Sequence, residues 1–478
     1  MVFFVMASVY RKKFRHIDKV LQSSECATAH GGQLIIDALA KEFGLWEKIA
    51  ASGLIDPRRD KSRGFSPEAM VAQLVFSFCS GGVSLADAGR LGSDKALGRL
   101  LGMDRWADDT TIGEWLRAQS EAGLREFWSV LRAFVGWVLK RAKAARVRRK
   151  GELEVFFDDT QIEVEGHYFE GAAVNHDGDT AYSWQTMWVG PFVADAQWGP
   201  GNRDASEALG ALLESTAALW EKDAAAGRAR FYADSASSAG KYLNLLDQRG
   251  WSWSVSYNKW TDALDRLAQE KPEQQWSAPQ EATGRNGQAI IEQFGWVRHQ
   301  PGEQCRRAQT FAAVRFKARD GGDLFWRHAY VVGGGAVQKE RGHLPEAARE
   351  VFEAHRFKGA KEQGFHQLLG DMDLHRPPCL SSSANEFFYA VAALAFNLLM
   401  AVRVLLLEDD QQGWTARTLI RFWLTVPVKI SSHAHRQRAR IFVPKHAMRW
   451  WKFFLQDYCP KRKPGRPPKQ PELQVAPG

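Results

Sequence analysis

Residues 155–159 read Val-Phe-Phe-Asp-Asp, an apolar run that stops on two adjacent carboxylates. A strand that buries such a run does not end on paired acids unless something satisfies their charge. A second run, Phe231-Tyr232-Ala233, ends on Asp234. Strands of one sheet can bring acids so far apart in sequence to a common edge. Gathered carboxylates repel each other unless cations bind between them. Oxygen donors of this kind suit Mg²⁺ or Mn²⁺. Two such ions, about 3.5–4 Å apart, can serve both the attacking and the leaving oxygen of a phosphodiester. The chemistry asks for a further acid, and Glu362 is the candidate, in the stretch HRFKGAKEQGF. Lys358 lies four residues before Glu362 and His355 lies near the same helical face, so phosphate-binding groups would flank a metal ligand. Asp159 competes with Asp158, because alternation along a strand lets only one of them face the site. Asp371 and Asp373 are auxiliary acids or turn residues.

The elements that must position these acids follow in order. Residues 30–140 carry apolar residues at helical spacing, with Ser66-Pro67 as an N-cap and first-turn pair and Asp109 or Thr110 as a later cap. The run from Lys140 to Lys150 holds seven cations in eleven residues, so Arg148, Arg149 and Lys150 are expected to contact phosphate. Residues 153–164 read as a first strand, 166–174 as a second and 180–199 as a long third. A helix capped by Asp204 follows, then a strand to Asp234, a helix closed by Gly250 and a strand from Trp251. Residues 260–335 are strand-rich again, and Pro345–Leu369 reads as a helix. Residues 387–407 are apolar enough to span a bilayer, but Asn397 and Arg403 interrupt them, which points to a buried core helix.

The 478 residues carry 64 Lys and Arg against 55 Asp and Glu, a net +9, and the excess is clustered as a polyanionic partner requires. The five cysteines form no C-x-x-C pair, so no zinc site or disulfide framework is indicated and a reducing cytoplasm fits. The start is apolar before it is basic, the reverse of a signal peptide, and Met6 is an alternative initiator. Near the C-terminus CPKRKPGRPPKQP should be disordered alone. Its Gly465-Arg466-Pro467 core resembles an AT-hook, whose arginine enters the minor groove of A·T-rich DNA. His433, His435 and the basic segment around them are read as DNA or surface contacts. Trp253, Trp296 and Trp326 are candidates for stacking on an extruded base.

The order Asp158-Asp159-Thr160, then YADS around Asp234, then H-x-x-K-x-x-x-E, resembles the DDE transposases of bacterial insertion sequences. The branch is the one with a Y-x-x-R-x-x-x-E-x-x-x-x-x-x-K signature and a strand-rich insertion before the Glu. GDMDLHRPPC and ANEFFYAVAALAFNLLM are similar to the tract that follows the Glu in one group of these enzymes. His355, Lys358 and Leu369 stand where the signature has Tyr, Arg and its final Lys. The resemblance implies a mixed α/β protein with an RNase H-like core, and a metal-binding catalytic triad of Asp158, Asp234 and Glu362 holding two Mg²⁺ or Mn²⁺ ions. It implies cleavage at transposon ends followed by strand transfer, by a homodimer acting on terminal inverted repeats and target DNA in the nucleoid. A catalytically silent relic and a related metal-dependent nuclease remain as alternatives.

The expected layout is a helical DNA-binding part at 1–150, core segments at 151–258 and 341–410, and a β-rich insertion at 259–340. A basic, dimerising region follows at 411–459, with a disordered tail at 460–478.

Overall fold

The computed structural model describes residues 26–103, 105–166, 168–257, 263–284, 287–322, 325–334, 344–356, 364–433 and 436–457. Lys358, Glu362, Arg466, His435 and the basic tail lie outside them.

After a two-residue strand β1 (Ala27–Thr28) come eight helices. They are α1 (Gln33–Phe43), α2 (Leu45–Ala50), α3 (Pro67–Phe78), α4 (Leu85–Leu91), α5 (Lys95–Leu101), α6 (Asp109–Arg117), α7 (Glu121–Arg141) and α8 (Ala144–Val147). Pro67 occupies the first turn of α3, where its missing N–H costs nothing. The cap of α6 is Asp108, not Asp109 or Thr110: its carboxylate accepts the Thr111 N–H at 2.7 Å.

The strands β2 (Leu153–Glu163), β3 (Ala173–Val174), β4 (Thr180–Val189) and β5 (Phe192–Pro200) follow. Where the sequence suggested one strand over 180–199 there is a hairpin, turning at Gly190-Pro191 with Gly190 at φ 58°. The apolar residues run through the turn, and only Gly-Pro marks it. The expected second strand shrinks to β3. Helix α9 (Leu209–Ala225) starts five residues after Asp204, whose carboxylate instead accepts from Lys241 Nζ and Tyr242 Oη. Then come β6 (Ala229–Ala233), α10 (Gly240–Arg249) closed by left-handed Gly250, and β7 (Ser252–Tyr257).

β2 pairs antiparallel with β4, and β4 with β5; β6 lies parallel to β2, and β7 parallel to β6. The spatial order β5-β4-β2-β6-β7 is thus third, second, first, fourth, fifth, as expected of an RNase H-like core. The strand-rich segment does not break away from it. After α11 (Ala263–Gln269), strands β8 (Gln280–Thr283), β9 (Ala289–His299), β10 (Gln309–Ala318) and β11 (Arg327–Gly334) continue the same sheet. β11 pairs with β7, and ten strands result.

Alternation sorts the sheet's side chains into two layers. Val155, Phe157, Phe231 and Ala233 face α9 and α10. Phe156, Trp184, Trp188 and Tyr232 face the other way, towards α13 (Ser382–Ala401). α12 (Pro345–Arg356) packs its Val351 and Phe352 on Phe294, Val314 and Val331.

α13, with the π-helical turn Val402–Leu406 that follows, is long and apolar enough to cross a membrane, yet 83% of its most apolar window is buried inside the protein. Of the two polar interruptions, Arg403 donates to the Trp414 carbonyl at 3.2 Å, and Asn397, like Asn385 one turn into the helix, pairs with backbone. Asn385 accepts the Cys379 N–H at 2.9 Å and donates to the Cys379 carbonyl at 2.7 Å. Asn397 does the same to Val193, at 3.0 and 2.7 Å. Val193 adjoins a bulge, where β5 spends an extra residue, Ala194, against β4. The Asn397 amide thus satisfies a backbone that the sheet leaves unpaired.

The N-terminal helices pack on α13 and share one core with the C-terminal elements α14 (Ala416–Leu419) and α15 (Met448–Asp457). A second sheet, in the order β1-β12-β13, ties residues 27–28 to the hairpin β12 (Val428–His433) and β13 (Arg436–Ile441).

Candidate active site

The parallel register of β2 and β6 runs from Leu153↔Ala229 to Phe156↔Tyr232. Continued by two residues, it sets Asp158 level with Asp234 on neighbouring strands, whose backbones lie roughly 4.8 Å apart. Asp234 still has extended backbone, φ −85° and ψ −172°, and caps the 3₁₀ turn Ser235–Ser238. One of its carboxylate oxygens accepts the Ala236 N–H at 3.0 Å, which fixes the group at the strand end. By alternation Asp158 shares a face with Phe156, and Asp234 with Tyr232. That is the face of α12 and α13.

Asp159 points to the opposite layer. Its oxygens accept from Ser183 Oγ and, at 3.0 Å, from Gln161 Nε2. Burial pushes its carboxyl above the usual range; the Ser183 hydrogen bond and the Arg203 charge oppose this, and the charge of Asp234 adds to it. Arg203 donates to Ser183 Oγ at 2.9 Å and to the Gln197 carbonyl at 2.9 Å. Half-buried Glu386, at the start of α13, also acts on Arg203, and burial raises its carboxyl to about 7. The network 159–183–203–386 was missed in the sequence, because no local spacing joins its members.

The third expected acid, Glu362, is outside the described residues, as is Lys358. Both flanks of that segment lie on Asp158's face. On one side His355 meets Ser254 Oγ at 3.0 Å and Ser256 Oγ at 2.7 Å on β7. On the other, Phe365 packs against Trp188 of β4, ring centroids 5.1 Å apart. His355 is buried, with both ring nitrogens engaged by serines, so it braces α12 on the sheet where an open phosphate contact was expected. Leu369 is buried in the core. Asp371 pairs with Arg417 at 3.5 Å, and Asp373 sits in a turn at φ 52°.

The expected phosphate contacts before β2 are partly occupied. Arg148 pairs with Asp223 at 2.6 Å and Arg149 with Glu154 at 3.5 Å, whereas Lys150 is exposed in a left-handed turn. Of the tryptophans, Trp253 is buried, Trp296 donates to the Leu344 carbonyl, and Trp326 lies under Arg315 and Lys317. Phe325, next to Trp326 and 82% exposed, is an aromatic that the sequence reading passed over.

Among the described residues no three His, Cys, Asp or Glu side chains cluster closely enough to hold a metal ion. The carboxylates of Asp158 and Asp234 nevertheless fit a hard divalent cation, being oxygen donors that the continued register of β2 and β6 brings side by side.

A third-second-first-fourth-fifth sheet, with an acid midway along its first strand, five residues before the strand ends, and another just past its fourth, defines an RNase H-like protein. The chain belongs to the DDE transposases: the family described as transposase DDE domain group 1 matches residues 19–448. No curated protein matches the chain.

Proposed function

We propose that this transposase cleaves DNA at the ends of its element and joins the freed ends to target DNA, with Asp158, Asp234 and Glu362 as the catalytic acids. The observation that carries the reading is the parallel register of β2 and β6 up to Phe156↔Tyr232, which, continued by two residues, would put Asp158 beside Asp234 on one face of the sheet. The common face of both flanks of residues 357–363 supports Glu362 as the third member.

The three carboxylates would hold two Mg²⁺ or Mn²⁺ ions, which when bound supply a water activated for attack and charge stabilisation for the leaving 3′ oxygen. The protein's own part is orientation. The Ala236 N–H holds one oxygen of Asp234, and the other has no hydrogen-bond partner among the described residues. The stiff apolar strand beneath fixes Asp158. His355, locked between two serines of β7, anchors the helix that leads to Glu362. Exposed Lys150 is available to the DNA backbone, and Arg466 to the minor groove. A homodimer would bring the two terminal inverted repeats together.

The test is cleavage of a labelled duplex carrying the element's ends, in Mg²⁺, Mn²⁺ or EDTA. Losing an outer partner of a metal ligand costs 10–100-fold, so Asp158→Asn, Asp234→Asn and Glu362→Gln should each lower cleavage by at least about 100-fold with DNA binding kept. Asp159→Asn should stay within about tenfold of wild type, because that side chain faces the other layer. DNA binding without cleavage by the wild type would favour a silent relic instead, with buried Leu369 in place of a lysine as its mark. Cleavage without joining would favour a nuclease.

A further inference from the structure

Residues 411–456 contain nine Lys and Arg and not one Asp or Glu. This stretch alone supplies the whole net +9 of the chain, so the remainder is balanced. Among its cations with described side chains, only Arg417 has an ion-pair partner.

The hairpin β12–β13 orders part of this charge. Val428 and Ile430 turn inward and pack with Ala96, Leu100 and Ile441 against α5. Lys429, Arg438 and Arg440 are exposed, and the register sets Lys429 directly opposite Arg440 and Ser431 opposite Arg438. Like charges directly opposed across two strands destabilise the pair. Charged residues on an edge strand protect it from unwanted pairing, and that reason covers β13. It does not cover Lys429, which sits on the central strand between β1 and β13. A second copy of the chain is a poor occupant, because a two-fold contact on this face would bring cation against cation.

We infer that the outer face of β12–β13, bearing Lys429, Arg438 and Arg440, is a contact surface for the phosphate backbone of duplex DNA, on a separate sheet from Asp158 and Asp234. This rests on the reading of the protein as one that acts on DNA. The role is to hold the duplex, without selecting its sequence: side chains that meet phosphates fix position and carry no base information.

The experiment measures the full chain's affinity against salt concentration, for a duplex carrying the element's ends and for one of random sequence. Each phosphate contact contributes a slope of about 0.9, so Lys429→Gln/Arg438→Gln/Arg440→Gln should lower the slope by roughly 2–3 on both duplexes. At 0.1 M salt it should weaken binding by at least about tenfold. An unchanged slope in a variant that melts as the wild type does would overturn the inference and leave the DNA reading intact. A wild type that binds neither duplex would overturn both. If the triple variant melts early, Ser431→Asp decides, because it keeps every cation and puts a carboxylate opposite Arg438. A cross-strand ion pair should stabilise the hairpin while repelling phosphate, so a higher melting temperature with weaker binding supports the inference. Undiminished binding sinks it.

Discussion

Glu386 carries a pH signature of its own. Burial holds its carboxyl at about 7 in the folded protein, above its ordinary value near 4.5. A raised pKa means that the folded state resists ionisation more than the unfolded state does. Its contribution to stability is therefore greatest below about 4.5, falls as pH rises and is lost above about 7. With a discount for partial exposure, the fall should be about 1–3 kcal/mol. Urea melts at pH 5 and pH 8 should show that fall in the wild type and lack it in Glu386→Gln. At this scale the sequence was half legible. Asp158 and Asp234 announce themselves because each ends an apolar run. Asp159, Ser183, Arg203 and Glu386 do not, because only the packed sheet edge and α13 bring them together. His355 was legible as a special residue but not in its role, since the serines that hold it lie about a hundred positions earlier.

α13 shows what an element gains from two polar residues. Asn397 substitutes for a missing strand neighbour by pairing with both backbone groups of Val193. Asn397→Leu keeps the branched shape and leaves two buried backbone groups unsatisfied, each costing ~1–3 kcal/mol. A loss of about 2–5 kcal/mol in chemical denaturation should follow. If the loss is under about 1 kcal/mol, water satisfies Val193 and the clamp has no energetic weight. The sequence revealed that α13 was a core helix, because Asn397 is too costly in lipid without a partner, but the partner is 204 residues away. The β4–β5 hairpin was hidden for the opposite reason: both strands are buried and apolar, so periodicity is continuous across Gly190-Pro191. β7 and β11 were each legible as strands. Their pairing, which makes the inserted strands part of the sheet that carries Asp158, depends on long-range register that no local pattern records.

At the scale of the molecule, the helices up to Val147 share their core with α13. Phe78 stacks edge-on to Phe388, and Trp115 and Phe127 both meet Phe387, all on α13. A fragment of residues 1–150 should therefore fail to fold cooperatively, although it carries eight helices. A sharp thermal transition in that fragment, followed by circular dichroism, would count against a shared core. The boundary near 150 was legible as a switch from helical to strand periodicity, and it marks that switch without marking a break in packing.

The pairing of β1 with β12 joins residues 27–28 to 428–429. A ribosome adding 5–20 residues each second needs roughly 20–80 s to cover that interval. For most of it, the apolar faces of α3 and α7 are already made while α13, which covers them, is not. The first helices made are among the last to be finished, so the nascent chain carries open apolar surface, of the kind that makes an unfinished chain prone to aggregate, through most of its synthesis.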